Sequence, residues 1–155
     1  MVDITDAQTR SRMMAGIKGK NTKPEMLVRR TLFSKGYRYR LHGSDLAGAP
    51  DIVMKNRKVA IFVHGCFWHM HQGCRLAKLP ATRPEFWANK LATNVARDQR
   101  NIAALRAQGW RVLIVWECAT KVPIQQAALA NALLSWIEDG TAEGDISDQT
   151  LLESR

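Results

Sequence analysis

Residues 61–74 read Ile-Phe-Val-His-Gly-Cys-Phe-Trp-His-Met-His-Gln-Gly-Cys. Three of the four histidines in the chain and two of its three cysteines fall in this stretch. An apolar run, residues 59–63, leads straight into it. Helix and strand propensities do not gather thiols and imidazoles at such density; holding a metal or doing chemistry does. The fold must therefore deliver a strand into a ligand-rich loop.

At 155 residues the chain has the length of one domain, and 46% apolar residues suffice for a core. No apolar run approaches the length of a membrane span. The N-terminus, Met-Val-Asp-Ile-Thr-Asp, has no basic stretch followed by an apolar one, so no signal peptide is expected and the protein reads as cytoplasmic. An odd number of cysteines argues against a disulfide framework, and cysteines beside histidines point to metal binding. Net charge is +9. Residues 1–40 and 41–137 are both strongly basic, whereas residues 138–155 hold six acidic residues and one basic residue. A basic body suits the phosphate backbone of a nucleic acid, or is simply a basic surface.

Taken in order, residues 1–21 form a basic N-terminal arm or an uninformative terminus. A single domain follows at 22–138, and 139–155 reads as an acidic, flexible tail. Thr22 and Glu25 fit a capping box for a helix ending at Gly36. Residues 37–41 alternate aromatic and basic side chains, as a half-exposed strand would. Residues 50–54 and 59–63, joined by Lys-Asn-Arg-Lys, predict a hairpin that brings Asp51 beside His64. Thr82 and Glu85 suggest a second capping box, for a long helix over 84–107. Residues 110–116 are apolar but for Arg111, like a strand buried on both faces. A last helix runs from Pro123 to about Ile137. The order predicts an α/β fold: a mixed sheet flanked by helices.

Cys66, His71, Cys74 and Cys118 are four ligand-type residues. Cys118 follows the buried strand and reaches the others if that strand lies beside residues 59–63. Three thiolates and an imidazole make a closed, structural zinc site; the bland alternative is three free cysteines and a surface histidine. His64 and His69 are then left over, and Phe67 and Trp68 sit on a clamped loop, where they either pack inward or wedge between bases. Asp51 with His64 and His69 makes a candidate hydrolytic site. A carboxylate holds a hard magnesium ion by oxygen, and a histidine accepts a proton from water near neutral pH.

Pro50-Asp51, the hairpin, and the helix–strand order resemble the restriction-endonuclease-like nucleases, but the second strand ends Phe62-Val63-His64 where an Asp/Glu-x-Lys motif would stand. That departure, with His-Gly-Cys-Phe-Trp-His-x-His, Ala-Thr-Arg-Pro-Glu-Phe-Trp and Trp-Arg-Val-Leu-Ile-Val-Trp-Glu-Cys, resembles the very short patch repair (Vsr) endonucleases over about residues 6 to 138. The resemblance implies a magnesium-dependent enzyme that nicks one strand of double-stranded DNA, 5′ of the thymine in a T·G mismatch left by deaminated 5-methylcytosine. It implies Asp51 as metal ligand, His69 as general base, and His64 near the scissile phosphate. Cys66, His71, Cys74 and Cys118 correspond to structural zinc ligands. Phe67 and Trp68 correspond to major-groove wedges, Met14 to a minor-groove residue, and Glu25 to a glutamate reaching the metal through water. Val63 stands where a threonine is expected: a metal contact through the backbone carbonyl survives the change, whereas one through the hydroxyl is lost. The zinc loop is one residue longer around Gly73. One asymmetric mismatch needs only a monomer, and contact with mismatch-repair proteins is a further partner the resemblance allows. Two rivals remain: a less specialised restriction-type nuclease, and a zinc-dependent DNA-binding module without catalysis.

Overall fold

Alternation along residues 59–62 decides the layering. Val59 and Ile61 enter one apolar cluster, and Ala60 and Phe62 enter another on the opposite side. A strand apolar on both faces needs helices above and below it. The computed structural model describes residues 20–121 and 126–153. Its elements are α1 (Lys23–Ser34), β1 (Arg40–Leu41), β2 (Ile52–Met54), β3 (Val59–His64), α2 (Pro84–Ala107), β4 (Arg111–Trp116), α3 (Gln126–Asp139), β5 (Glu143–Ile146) and α4 (Asp148–Glu153). The strands form one sheet in the order β1-β2-β3-β4-β5. Strands β1, β2 and β3 pair antiparallel, whereas β3, β4 and β5 run parallel. Val28 and Leu32 of α1, Leu129 and Leu133 of α3, and Leu151 of α4 cover one face. Leu105 and Ile102 of α2, with Trp110, cover the other. This is the expected α/β architecture, a mixed sheet flanked by helices.

The β3–β4 register positions the site. His64 stands opposite Trp116, so both strands end at the same level. The chain after β3 and the chain after β4 therefore leave side by side, which brings Cys66 and Cys118 together. The hairpin forms as expected. His42 N donates to the Asp51 carbonyl at 3.0 Å, which draws the loop before β2 onto the same end of the sheet.

Three local expectations differ. The strand expected over 37–41 shrinks to Arg40–Leu41. The tyrosines dock on helices instead: Tyr39 OH donates to the Arg29 carbonyl at 2.9 Å, and Tyr37 OH donates to Glu138 Oε1. The second capping box does not form. Helix α2 is entered through Arg83, in the left-handed region at φ 54°, whose side chain makes no cap bond and stacks 4.4 Å over Phe86. The first box forms by half. Thr22 Oγ1 accepts from Glu25 N at 3.3 Å, but the Glu25 carboxylate turns to Asn21 N instead of closing on Thr22.

The acidic end is not a free tail over residues 139–153. Strand β5 pairs with β4, and Ile146 and Leu151 are buried in the main core. Arg111 fastens the turn before β5: its guanidinium donates to the carbonyls of Trp136, Ile137 and Thr141. Ser147 and Thr150 then exchange hydrogen bonds that start α4. Asp145 and Glu143 keep to the exposed positions, so the negative charge is solvated while two apolar residues anchor the segment. Among the described residues no helix is long and apolar enough to cross a membrane.

Candidate active site and metal centre

The loop after β3 is a run of tight turns. His69 N donates to the Gly65 carbonyl, His71 N to Cys66, and Cys74 N to His71, at 3.1, 2.8 and 3.3 Å. Gly73 takes φ +73°, the backbone conformation that absorbs the extra residue. These turns fold Cys66, His71 and Cys74 back on Cys118, and one ligand atom from each of the four lies within 4.8 Å of all the others. Cys66 and Cys118 are buried, and none of the cysteines is in a disulfide. Cys118 N donates to Cys66 Sγ at 3.4 Å, and Asp148 N donates to Cys118 Sγ at 3.4 Å. The Cys118 thiol is held below its ordinary pKa, chiefly by the hydrogen bond from Cys66, and the Cys66 thiol is pushed up by the same bond and by burial. Backbone N–H groups aimed at sulfur, a thiol already inclined to ionise and a soft-donor set fit zinc. The His71 ring lies flat on Trp116 at 4.0 Å, and Trp116 Nε1 in turn donates to Asp145. Burial holds His71 below its ordinary pKa, which favours the neutral ring a metal needs.

The second cluster occupies the same end of the sheet on the other side of the loop. Asp51 Oδ2 accepts from Val63 N at 2.7 Å. Burial pushes the Asp51 carboxyl up to about 7, the neighbouring Glu25 carboxylate adds to the rise, and the Val63 N–H opposes it. Glu25 is itself buried. Its Oε2 accepts from Arg29 Nη1 at 3.1 Å and lies 3.2 Å from His42 Nε2. Two carboxylates brought together out of water need a cation between them or a proton on one. That is the donor chemistry of a hard divalent ion.

His64 is buried, and its ring stacks on His69 at 3.7 Å with an interplanar angle of 4°. Burial lowers its pKa to about 3, with the His69 charge contributing. His64 is therefore neutral at working pH, and its Nδ1 has no hydrogen-bond partner among the described residues. His69 faces Asp98 of α2, with Nδ1 2.6 Å from Oδ2. Burial alone would raise the Asp98 carboxyl; the bond to His69 and the nearby imidazoles and Arg97 outweigh it and hold it below the usual range. An ionised carboxylate only accepts, so His69 Nδ1 carries the hydrogen. Its Nε2 is then the basic atom.

A cleft of ≈ 390 Å³ opens over this group, lined by Asp51, His64, His69 and Asp98, with Lys20 and Arg97 as its cations. Beside it stands a surface aromatic cluster. Phe67 and Trp68 meet edge to face at 5.0 Å, and Trp87 from α2 packs on both, at 5.6 and 6.0 Å. Asn94 Nδ2 holds the Trp68 carbonyl at 3.0 Å. Neither Phe67 nor Trp68 joins the core; both are half-buried in a platform that α2 supports.

The structure thus gathers Asp51, Val63, His64 and His69 around one cleft, with Glu25 buried beside Asp51, and Cys66, His71, Cys74 and Cys118 into one knot. Met14 lies outside the described residues. Asp98, His42, Lys20 and Arg97 are additions. Asp98 left a trace in the sequence: along the otherwise basic α2, only Glu85 and Asp98 are acidic.

Comparison with known proteins then decides the family. Residues 2–75 match the family model described as DNA mismatch endonuclease Vsr. The chain is 42% identical over 151 residues to the DNA mismatch endonuclease Vsr of Escherichia coli (strain K12), covering 96% of each chain. The protein belongs to the Vsr family. It is also 52% identical over 118 residues to the type II nicking enzyme V.XorIIP of Xanthomonas oryzae pv. oryzae, covering 76% of this chain and 86% of that relative. A similar match, 40% identical over 139 residues, links it to the type II nicking enzyme V.NmeAIP of Neisseria meningitidis, 99% of which it covers. As a Vsr-family member the chain is a DNA endonuclease with a restriction-endonuclease-like fold.

Proposed function

We propose that this endonuclease nicks one strand of duplex DNA, 5′ of the thymine in a T·G mismatch, and so opens a very short repair patch. The observation that carries the hydrolytic reading is the His69–Asp98 pair standing beside the buried Asp51 carboxyl. Asp51, the Val63 carbonyl and, through water, Glu25 are the residues that would hold magnesium. Bound there, magnesium supplies positive charge against the charge that develops on the phosphate oxygens.

His69 takes the proton of an attacking water on Nε2, while Asp98 fixes its tautomer and steadies the imidazolium. Water oxygen bonds to phosphorus as the bond to the 3′ oxygen breaks, leaving a 3′-hydroxyl and a 5′-phosphate. His64, neutral and flat against His69, positions the ring and the phosphate; Lys20 and Arg97 supply the positive charge that a neutral His64 does not. Phe67 and Trp68 wedge into the base stack from their platform, with Met14 entering from the minor groove. Unstacking costs a few kcal/mol per step and costs least at a wobble pair, which favours T·G over matched DNA. Cys66, His71, Cys74 and Cys118 would hold zinc as a structural clamp on the loop that carries both wedge and base.

A monomer suffices for one asymmetric mismatch, and mismatch-repair proteins are its expected protein contacts in the bacterial cytoplasm. The test is a nicking assay with magnesium on a T·G duplex beside its matched T·A control. A single nick 5′ of the mismatched thymine is expected. Cleavage of matched DNA on both strands would identify a restriction-type nuclease, and binding without cleavage a DNA-binding module.

A further inference from the structure

The alternation Tyr37-Arg38-Tyr39-Arg40 has no part in the cleft, yet the structure gives it a strict division of labour. Both tyrosines are tied inward by their hydroxyls, to Glu138 and to the Arg29 carbonyl. Both arginines are left exposed. Across from them the β2–β3 turn presents Lys55 and Arg57. The two edges enclose a concave surface of ≈ 440 Å³ whose charged lining is Arg38, Arg40, Lys55 and Arg57.

Among the described residues no carboxylate lines this groove. Asp45 and Glu138 stand at its rim, and each engages one arginine: Asp45 grips Arg40 with two bonds of 2.9 Å, and Glu138 lies 3.3 Å from Arg57. Among the described residues no carboxylate comes within ion-pair distance of Arg38 or Lys55. Arg38 is extended over the exposed ring of Phe33, 4.3 Å from its centroid, which holds its guanidinium in a defined place without neutralising it.

The groove lies at the far end of β2 from Asp51. Lys55 lies four positions after Asp51, about 13 Å along an extended strand. That is too far to touch the scissile phosphate, but within reach of phosphates further along a strand.

We propose that this groove is a second nucleic-acid site, binding phosphodiester backbone through Arg38 and Lys55, with Arg40 and Arg57 held at its edges. A phosphate backbone fits better than an acidic peptide. The planar Arg38 guanidinium is fixed over Phe33 with no carboxylate on it, and residues 1–137 are strongly basic. That backbone is the flank of the duplex held in the cleft, whose phosphates further along the strand come within reach of this end of the sheet. This site is independent of mismatch recognition, but its role in the enzyme rests on the DNA-nicking reading above.

The test uses the full-length zinc-loaded protein and the double variant Arg38→Ala/Lys55→Ala, both changes at exposed side chains. Affinity for a long duplex is measured against salt concentration, beside a short duplex that fills only the cleft. Two lost phosphate contacts should lower the slope of log K against log salt by about 1.8 on the long duplex. The short duplex should be bound and nicked as by wild type, and Arg38→Lys/Lys55→Arg should restore the slope. The flank predicts that the loss grows with duplex length; a binding stoichiometry that fell from two duplexes to one would overturn it in favour of a second duplex. Equal slopes and stoichiometries for wild type and double variant would overturn the site. So would polyglutamate displacing the long duplex as well as unlabelled DNA does, since that marks a protein-binding surface. Failure to nick the short T·G duplex in every variant, wild type included, would instead overturn the mismatch-nicking reading and leave this site standing.

Discussion

Two clusters share the loop after β3, and they are built on opposite plans. The cysteine–histidine knot is closed. Its ligands satisfy one another, backbone N–H groups point at its sulfurs, and the C-terminal segment covers it through the Asp148 N–H. The aspartate–histidine group is open. Its carboxyl is pushed up to about 7, one histidine is kept neutral, and a cleft lies over both. The knot needs only an ion to join its four ligands, whereas the open group carries electrostatic tension that a cation or a proton relieves. Perturbing the first should act on stability, and perturbing the second on rate.

Breaking the knot has the largest expected effect. Cys118→Ala, or zinc removal by a chelator, should lower the melting temperature by more than ~10 °C, because zinc binding and folding are one process in sites of this kind. DNA binding and nicking should fall together, since Phe67, Trp68 and His69 ride on the same loop. A stripped protein that melted and nicked like the loaded one would erase the distinction between the clusters.

Breaking the His69–Asp98 pair of the open group should leave folding untouched. Asp98→Asn keeps the side chain's shape but frees His69 to take the other tautomer. The nicking rate is expected to fall ~10²–10⁴-fold, the usual range for a lost acid–base contribution. The melting temperature should stay within a degree or two, and a loss of stability comparable to that of Cys118→Ala would show Asp98 to be structural. His69→Ala should be at least as severe, and adding Asp98→Asn to it should cost little more, because the two act as one unit.

The unequal legibility of the two clusters follows from their construction. The knot's ligands are Cys and His, scarce residues whose spacing speaks for itself, and its one distant member follows a strand that could be read from its apolar run. The open group depends on Asp98, His42, Lys20 and Arg97, common surface residues whose role exists only once α2 and the loop before β2 are folded against β3. The α/β order, the hairpin and α2 were legible because their periodicities are local. The ordering of residues 139–153 was not. Its acidic composition outweighs two buried residues, Ile146 and Leu151, and its anchor, Arg111, lies on another strand. The neutrality of His64 was equally hidden, since burial is a property of the assembled sheet.

The tension in the open group has a pH signature. Asp51 has its folded pKa raised from 3.8 to about 7. The unfolded chain therefore gives up this proton more readily, and the folded state loses stability as pH rises from about 4 through 7. The full penalty is present above that window. In magnesium-free buffer, Asp51→Asn should be more stable than wild type at pH 8, with the advantage shrinking toward pH 5 by at most about 1.4 kcal/mol per pH unit. Thermal melts across that range check it. His64 titrates in the opposite sense, losing stability as pH falls below its unfolded value, but it is common to both proteins and cancels. A constant difference across the range would mean that Asp51 is ionised freely and that the cluster is not strained.

The smallest effect asks whether the two clusters are mechanically separate. A Cβ added at Gly144 of β5 would stand 2.7 Å from Trp136 Nε1, so β5 lies flush on α3 only because this residue has no side chain. Gly144→Val should push β5 outward and cost ~1–3 kcal/mol, the usual penalty of overpacking. The strain runs toward the knot, because β5 leads into α4 and α4 begins with the Asp148 N–H on Cys118 Sγ. It does not run toward His69, whose support comes from α2 on the opposite face. The variant should therefore release zinc to a chelator faster than wild type while its single-turnover nicking rate, measured with zinc in excess, stays within about twofold. A nicking rate that fell in step with zinc retention would mean that the loop transmits strain between the clusters, and the two plans would then be one machine.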